Sequence, residues 1–388
     1  MKLVFDTSII RQPLTGTGYY AYELARHILL SEEVEKMLFW KDFRFSEKLI
    51  FPERRSDSGK NFRKSFKKYI LSGAVKNTWL IEQYFNLRQI RQKYQLKKYE
   101  DYIFHGPSFY IPPFAGKSVV TVHDLSFIAF PAHHPAARVA MMQKAMDSIK
   151  KDADYILTVS DFSKNEIIRY LNWPADRIRT TYLAAADIFH PRTAEELMPV
   201  LSSHNLHLNG YSLFVGTVEP RKNIDILLAA YEGIPYTLRN RFPLVICGFQ
   251  GWENRNLMER IERAEREGWL RHLDYLPHEE LPLIMAGARL FLFPSLYEGF
   301  GIPPLEALQS GVPAIVSNAA SLPEVVGDAA PVLDPHDDKI WQEWIERGLE
   351  DEIWREEYRR KGLLQSGTFS WQRCADDTLS AYKNISDF

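Results

Sequence analysis

Two glutamates flank a glycine turn near residue 300, and their types and spacing indicate a ligand-binding site. Glu298 stands directly before Gly299 and Gly301, and Glu306 follows with seven residues between the two carboxylates. Helix N-termini attract anions, whereas a carboxylate repels phosphate and accepts hydrogen bonds from hydroxyl groups. The pattern therefore favours a ligand with both phosphates and hydroxyls, such as a nucleotide sugar.

The residues around this turn predict a strand, a loop and a helix in that order. The apolar run from Leu290 to Phe293 indicates a buried strand that ends at Pro294. A helix is expected to begin near Ile302, because prolines such as those that follow are tolerated in a first helical turn. The glycines between strand and helix allow a ligand to approach the backbone closely.

A second loop carries the positive charge that a diphosphate needs. In YSLFVGTVEPRKNIDILLAAY, a strand is predicted at 211–217, Gly216 leaves room at its end, and a helix follows from about Asn223. Arg221 and Lys222 stand at the end of the loop, where both can neutralise phosphoryl oxygens. A solvated loop is the ordinary alternative, but the context of strand, glycine and loop favours function.

Gly16 and Gly18 open a predicted helix after the first strand, which covers Leu3 to Ile10. Their G-x-G-x-x-A pattern is similar to a dinucleotide-binding fingerprint. Several residues, including Pro13, separate the strand from Gly16, and no acid follows at the expected offset, so that interpretation is disfavoured. A turn that starts a helix and a glycine loop over a bound ligand both remain open.

Three later segments, 101–109, 118–127 and 154–163, each read as a buried strand that ends in polar residues ahead of a helix. Such alternation predicts parallel sheets, which bind ligands at the carboxyl ends of their strands. His123 stands at such an end and is expected to be functional. Asp161 is expected to cap the helix that follows it.

The composition predicts a soluble cytoplasmic protein of two domains. A chain of 388 residues exceeds the usual size of a single core, and two cysteines are too few for a disulfide framework. No secretory signal or membrane span is apparent. We expect no metal site, because the Asp-x-Asp at residues 152–154 lies between a helix and a strand and no His/Cys cluster exists.

Residues 54–98 are strongly basic, with thirteen Lys/Arg against two acids, although the whole chain has a net charge of −2. Aromatic and aliphatic residues among these basic residues suit an anionic membrane surface. Amphipathic helices that solvate their charges are an equal alternative. Nucleic acid is disfavoured because no recognition module accompanies the basic residues.

Five motifs together resemble one enzyme family, and they run from residue 13 to about residue 327: PLTGTGYYAYEL, VHDLSF, VSDFSKNEI, GTVEPRKNIDILL and EGFGIPPLEAL. The chain is similar to the large retaining glycosyltransferase family four of the GT-B fold. The first and last motifs also resemble those of bacterial O-antigen and capsule mannosyltransferases, which take part in lipopolysaccharide biosynthesis.

The resemblance implies an α/β protein with two Rossmann-like domains that face each other across a cleft. We place the N-terminal acceptor-side domain at 1–190 and the donor domain at 191–370. Residues 371–388 are expected to form a C-terminal helix that packs back on the first domain.

The resemblance also implies roles for particular residues. Glu306 would bind ribose hydroxyls, Glu298 and His123 would approach the donor sugar, and Arg221 and Lys222 would hold the diphosphate. The remaining donor contacts would come from Gly16 and Gly18 and from the backbone at Gly216, Phe300, Gly301, Ile302, Pro304 and Leu305.

The implied activity is retaining, metal-independent transfer of a hexose, with mannose from GDP-mannose as the leading donor and no other cofactor. The acceptor would be a polysaccharide or lipid-linked oligosaccharide at the inner face of the plasma membrane. A UDP- or dTDP-sugar donor is the nearer alternative. A nucleotide-sugar isomerase or epimerase and a non-catalytic binding subunit are the others.

Overall fold

A computed structural model describes residues 1–11, 14–41, 43–51, 89–251, 255–274, 276–277 and 279–386. Pro13 and residues 54–88 of the predicted basic segment lie outside this description. The first structural unit comprises Met1–Val159, Lys164–Thr181 and Trp371–Phe388, and the second comprises Ser160–Ser163 and Tyr182–Ser370. In the described part of the chain, no helix is long and apolar enough to cross a membrane.

The first unit is built on a sheet of short, mostly buried strands. Among the described residues its order is β3-β2-β1-β4-β5-β6-β7, and every pair is parallel except β2 with β3. The chain order reverses between β1 and β4, and open α/β sheets bind ligands at such switch points. The strands are β1 Lys2–Asp6, β2 Lys36–Lys41, β3 Arg44–Ser46, β4 Ile103–Gly106, β5 Ser118–Val122, β6 Tyr155–Thr158 and β7 Ile178–Thr180.

Helices flank this sheet, and residues 89–96 are also helical. The Asp-x-Asp at 152–154 closes one helix and enters β6, where the Asp154 carboxylate accepts a hydrogen bond from the Ser118 amide at 2.8 Å. The described helices are Gly16–Ile28, Ser126–Ala129, Ala136–Asp152, Asp161–Leu171 and Trp371–Ser386.

Asp161 is not the helix cap that the sequence suggests. The Ser160 hydroxyl accepts a hydrogen bond from the Ser163 amide at 3.1 Å, so Ser160 caps the helix and Asp161 is its first residue. The Asp161 carboxylate instead accepts a hydrogen bond from the Tyr182 hydroxyl at 3.0 Å. A serine competes well for a cap position, and sequence spacing alone does not decide between neighbours.

The second unit repeats the same design. Its described strands follow the order β10-β9-β8-β11-β12-β13, all in parallel, and the chain order reverses between β8 and β11. The strands are β8 Ser212–Val215, β9 Leu244–Cys247, β10 Leu270–Leu273, β11 Leu290–Phe293, β12 Ala314–Ser317 and β13 Val332–Leu333. Strand β11 and the helix start at Ile302 confirm the predicted strand, loop and helix.

Helices of the second unit cover Ala194–Ser203, Ile224–Gly233, Tyr236–Arg241, Arg255–Arg266, Leu281–Ala286, Ile302–Gln309, Leu322–Val326, Asp338–Glu350 and Glu352–Ser366. The last two are separate helices. The chain breaks at Asp351, whose carboxylate accepts a hydrogen bond from the Trp354 amide at 2.9 Å and so starts a new helix.

Residues 182–190, which we assigned to the N-terminal domain from the sequence, belong to the second unit in the structure. The Gln309 side-chain amide donates hydrogen bonds to the Ala186 carbonyl at 3.0 Å and to the Phe189 carbonyl at 2.8 Å. These contacts fix the segment to the helix that follows β11.

The C-terminal helix Trp371–Ser386 belongs to the first unit and packs against the helix Gly16–Ile28, which confirms the predicted return of the chain. A buried polar chain fixes it there. The Tyr382 hydroxyl lies 2.6 Å from His105 Nδ1, and His105 Nε2 lies 2.9 Å from the Thr121 hydroxyl. That hydroxyl is 2.9 Å from the hydroxyl of Tyr20. Burial lowers the pKa of His105 to about 3, so the chain is neutral.

Tyr382→Phe should destabilise the protein, because it removes the hydroxyl that pairs with buried His105. A buried polar group without its partner costs about 1–3 kcal/mol, so urea denaturation should show a loss of that size. Tyr94→Phe is the matched control, since Tyr94 is 81% exposed and should change stability by less than about 0.5 kcal/mol. Equal values for the two variants would show that the polar chain does not hold the helix.

Candidate active site

The candidate site of the second unit lies where the loops after β8 and β11 meet. These are the two strands at the point of chain reversal. Gly216 directly follows β8. The neighbouring Gly248 has a φ of +150°, and a Cβ there would lie 2.0 Å from the Gly216 carbonyl oxygen. This close backbone approach requires glycine at 248.

Four charged side chains meet in these loops. Lys222 Nζ lies 2.6 Å from Glu298 Oε1, and Arg221 Nη1 lies 3.3 Å from Glu298 Oε2. Glu219, which was not a predicted site residue, lies 2.7 Å from Arg221 Nη2. The side chains of Arg221, Lys222 and Glu298 are only 15%, 11% and 12% exposed, so the cluster is largely shielded from water.

The cations decide the charge of Glu298. Burial acts to raise the pKa of this carboxyl, but the positive charges of Lys222 and Arg221 outweigh it and hold the pKa at about 2. Burial acts on Lys222 in the opposite sense and lowers its pKa, with partial compensation from Glu298. Glu298 is therefore ionised at neutral pH.

Backbone contacts fix the loop that carries Glu298. Asn223 adopts the left-handed conformation with φ +55°. Its side-chain amide donates hydrogen bonds to the carbonyls of Pro294 at 3.2 Å and Pro335 at 2.7 Å. The Ser321 hydroxyl lies 2.9 Å from the Glu298 carbonyl and 2.6 Å from the Phe300 carbonyl. The loop is thus fastened from two sides, and neither Asn223 nor Ser321 was a predicted site residue.

The turn into the next helix requires a glycine. Gly301 has φ +122°, and a Cβ there would lie 2.8 Å from a methyl group of Leu322. Any other residue would combine backbone strain with a steric clash. Phe300, directly before it, is buried.

The start of the helix Ile302–Gln309 supplies fewer amides than we expected. Pro304 has no amide hydrogen, and the Leu305 amide donates to the Gly301 carbonyl at 3.3 Å. The donor contacts expected at 304 and 305 therefore cannot come from free backbone amides at those positions. The Ile302 amide keeps its place in the first turn and remains a predicted anion contact.

Glu306 is partly buried one turn further along the same helix. Burial raises the pKa of its carboxyl to about 8. Among the residues that the structure describes, none forms an ion pair with Glu306 or donates a hydrogen bond to its carboxyl group. Two carboxyl groups with only seven residues between them thus have opposite environments, and Glu306 retains its capacity to bind hydroxyl groups.

In the first unit, Gly16 begins its helix as predicted, with the Thr15 hydroxyl accepting a hydrogen bond from the Gly18 amide at 3.3 Å. A Cβ on Gly18 would lie 2.9 Å from the Ile9 carbonyl oxygen, so this glycine permits close packing of helix and strand loop. Donor contact by either glycine stays a prediction.

His123 lies at the carboxyl end of β5, as the sequence indicates. Its Nε2 is 2.8 Å from the Pro107 carbonyl oxygen, which can only accept, so Nε2 carries the proton and Nδ1 is the acceptor in the neutral ring. Burial lowers its pKa, and the Tyr20 ring packs edge-on at 4.9 Å. The contact of His123 with a sugar stays a prediction.

Four predicted site residues thus lie together in the loops of the second unit: Gly216, Arg221, Lys222 and Glu298. The other predicted residues of this unit follow directly along the chain, in the turn and the helix after it: Phe300, Gly301, Ile302, Pro304, Leu305 and Glu306. Gly16, Gly18 and His123 belong to the first unit. No group of three His, Cys, Asp or Glu within the described ranges is placed to hold a metal ion.

Comparison with known proteins identifies the family of this chain. A family model described as "Glycosyl transferases group 1" matches residues 207–364, which contain the second-unit cluster. The O-antigen chain mannosyltransferase B of Escherichia coli is 44% identical over 383 residues, covering 99% of this chain and 100% of that protein. The serotype-specific mannosyltransferase WbdA of Escherichia coli is 32% identical over 69% of this chain, which spans 34% of that longer protein.

The fold is shared with a solved enzyme structure. The sucrose-phosphate synthase from Thermosynechococcus elongatus superposes with a TM-score of 0.72 at 18% identity, covering 100% of this chain and 99% of that one.

Glu306→Gln should stabilise the protein increasingly as the pH rises. The folded-state pKa of about 8 lies above the ordinary value of 4.5, so stability contributed by the protonated group is lost as pH rises through this window. Because glutamine never ionises, the difference in unfolding free energy between the variant and the unmodified protein should grow by about 2 kcal/mol from pH 6 to pH 8.

Urea denaturation at several pH values measures this difference. Glu343→Gln, at an exposed helix position, is the control and should show no comparable trend. A constant difference for Glu306→Gln across the pH range would show that burial does not perturb this carboxyl.

Proposed function

The chain belongs to the glycosyl transferases group 1 family and is a glycosyltransferase with the GT-B fold, and from this premise we propose its reaction. We propose that it moves mannose from GDP-mannose to a hydroxyl of a polysaccharide or lipid-linked oligosaccharide, with retention of anomeric configuration. Similarity to these two mannosyltransferases supports mannose as the transferred sugar.

The observation that carries the proposal is the environment of Glu306. A partly buried carboxyl that no described residue supplies with a cation or donor is costly unless a ligand satisfies it. Vicinal hydroxyls of a ribose provide two donors to one carboxylate. The Lys222 ammonium, in the loop after the neighbouring strand β8, supplies positive charge for the diphosphate of the same ligand.

The ion pairs of Glu298 favour a direct same-face substitution. A carboxylate held at a pKa of about 2 by two cations is a poor nucleophile, so we assign Glu298 to binding rather than to covalent attack. In the proposed step, the bond between the anomeric carbon and the diphosphate oxygen breaks and the bond to the acceptor oxygen forms on the same face. The acceptor proton passes to the departing diphosphate, whose charge Lys222 stabilises.

The donor is tested with a thermal-shift panel of GDP-mannose, UDP-glucose, dTDP-glucose and ADP-glucose at equal concentrations. GDP-mannose should give the largest rise in melting temperature, since a ligand at 100 times its Kd stabilises the folded state by about 2.7 kcal/mol. Glu306→Ala should weaken GDP-mannose binding by about tenfold or more while changing kcat less, because it removes ground-state contacts to the nucleotide.

Transfer is then followed by NMR with a mannose-terminated oligosaccharide acceptor, where retention yields an α-linked product. A larger shift with a UDP- or dTDP-sugar would replace the proposed donor. Conversion of the donor sugar without an acceptor would identify an isomerase or epimerase. Binding without turnover on any mannose-terminated acceptor would indicate a binding subunit.

We further propose that the first unit docks on an anionic membrane surface, where a lipid-linked acceptor would reside. The described end of the basic segment is helical and presents Ile90, 65% exposed, and Tyr94 one turn later, also exposed. Arg91, Lys93, Lys97 and Lys98 are exposed around this pair.

The inner face of this segment is fixed to the protein. Gln92 is buried and accepts a hydrogen bond from the Tyr110 hydroxyl at 2.7 Å, and Leu96 is buried beside it in the core. The exposed apolar pair is therefore held outward in a basic surround. That combination suits binding at the surface of an anionic bilayer. Each Lys or Arg near such a surface contributes about 1 kcal/mol to the binding free energy.

Lys93→Glu combined with Lys97→Glu should weaken binding to vesicles containing anionic phosphatidylglycerol by at least about tenfold, because two positive charges become negative and the local charge changes by about four units. Ile90→Ser combined with Tyr94→Ser should weaken it without altering the salt dependence. Vesicle co-sedimentation measures both effects. The control is Ile353→Ser, an exposed position of the second unit. Equal binding to purely zwitterionic vesicles, or no change in either double variant, would refute the docking proposal.

A further inference from the structure

Arg221 has its guanidinium engaged by protein groups on both arms. Nη2 donates to Glu219 Oε1 at 2.7 Å, and Nη1 donates to the Tyr297 carbonyl oxygen at 2.5 Å. Nη1 also lies 3.3 Å from Glu298 Oε2. A guanidinium fork between a buried carboxylate and a backbone carbonyl is a fixed link, because each bond constrains the plane of the group.

Lys222 has a different relation to the same carboxylate. Its ammonium lies 2.6 Å from Glu298 Oε1, so the two cations occupy separate oxygens of one side chain. The ammonium is a point charge with three rotatable donors, and it can exchange one anionic partner for another without loss of geometry. Arg221, by contrast, would have to leave Tyr297 and Glu219 to meet a phosphate.

The charge around Arg221 also disfavours a second anion. Glu219 and Glu298 flank the guanidinium, and the Glu219 side chain is only 6% exposed. Because Glu219 pairs with one arm and Glu298 is shared with Lys222, the positive charge of Arg221 is neutralised within the cluster and attracts a diphosphate only weakly. The main chain supports a linking role, since the Leu296 amide donates to the Arg221 carbonyl at 2.9 Å.

We propose that Arg221 is a positioning residue, anchored by Glu219, that fixes the loop Tyr297–Gly301 and orients Glu298, and that Lys222 alone of this pair meets the diphosphate. This inference rests on the proposed function of the site, and it replaces the diphosphate contact that we expected for Arg221 from the sequence. Glu219 thereby gains a role in transfer without touching the substrate.

The test compares GDP affinity with turnover in five variants. Glu219→Gln, Arg221→Lys and Arg221→Gln should each lower kcat by about tenfold or more, while the Kd for GDP measured by calorimetry stays within about threefold of the unmodified protein. Arg221→Lys is decisive, because it keeps the charge that a phosphate would need but loses the two-armed link. The double variant Glu219→Gln/Arg221→Gln should be no worse than Arg221→Gln alone.

Lys222→Met, the fifth variant, should weaken GDP binding by about tenfold and lower kcat by a larger factor. The positioning role is overturned if Arg221→Gln weakens GDP binding as Lys222→Met does while Arg221→Lys restores it. It is also overturned if the losses of Glu219→Gln and Arg221→Gln add in the double variant.

The proposed function fails separately, if the unmodified protein binds neither GDP nor another nucleoside diphosphate. In that case urea denaturation of the single and double variants still tests the contact between Glu219 and Arg221. The losses of unfolding free energy are non-additive if the two side chains are coupled and additive if they are not.

Discussion

The second unit depends on an ion pair between two loops. Lys222 and Glu298 are 76 residues apart in sequence, yet their charged atoms lie 2.6 Å apart because β8 and β11 are parallel neighbours at the point of chain reversal. A buried carboxylate without partners would take up a proton at neutral pH. The pair therefore keeps a charged group at the sheet edge where a charged substrate is expected, and the surrounding loops are arranged to hold it.

The two glutamates of the glycine turn show how environment divides similar groups. Burial acts on both, but cations hold the pKa of Glu298 at about 2, whereas that of Glu306 rises to about 8. One carboxylate is satisfied by the protein, and the other has its capacity for hydrogen bonds available to a ligand. Pairs of acids with separated pKa values are a recurrent sign of different roles in one site.

In the first unit, neutral buried polar contacts help to hold the C-terminal helix. The C-terminal helix returns through Tyr382, which pairs with a histidine that burial keeps unprotonated. Thr121 links that histidine to Tyr20, and the Tyr20 ring packs against His123. Buried polar chains that are fully satisfied fix one arrangement, so the C-terminal helix helps to position His123 at the end of β5.

The sequence by itself determined the local features. Apolar runs ending in glycine or proline marked strands such as Leu290–Phe293, and the helix start at Ile302 followed from local backbone preferences. Motif order indicated the family, and strand-end positions indicated His123, Lys222 and Glu298. Local chemistry was less decisive between neighbours, because Ser160 rather than Asp161 caps its helix.

Only the tertiary structure decided what those side chains do. Ser321 has no local signal, because the carbonyls that it contacts lie 23 and 21 residues away. Glu219 is only two residues from Arg221, but this spacing alone does not show that their side chains pair. The engagement of Arg221 by Tyr297, and the lack of a described partner for Glu306, depend on which strands are neighbours. A pKa is set by burial and by charges within a few ångströms, and sequence spacing specifies neither.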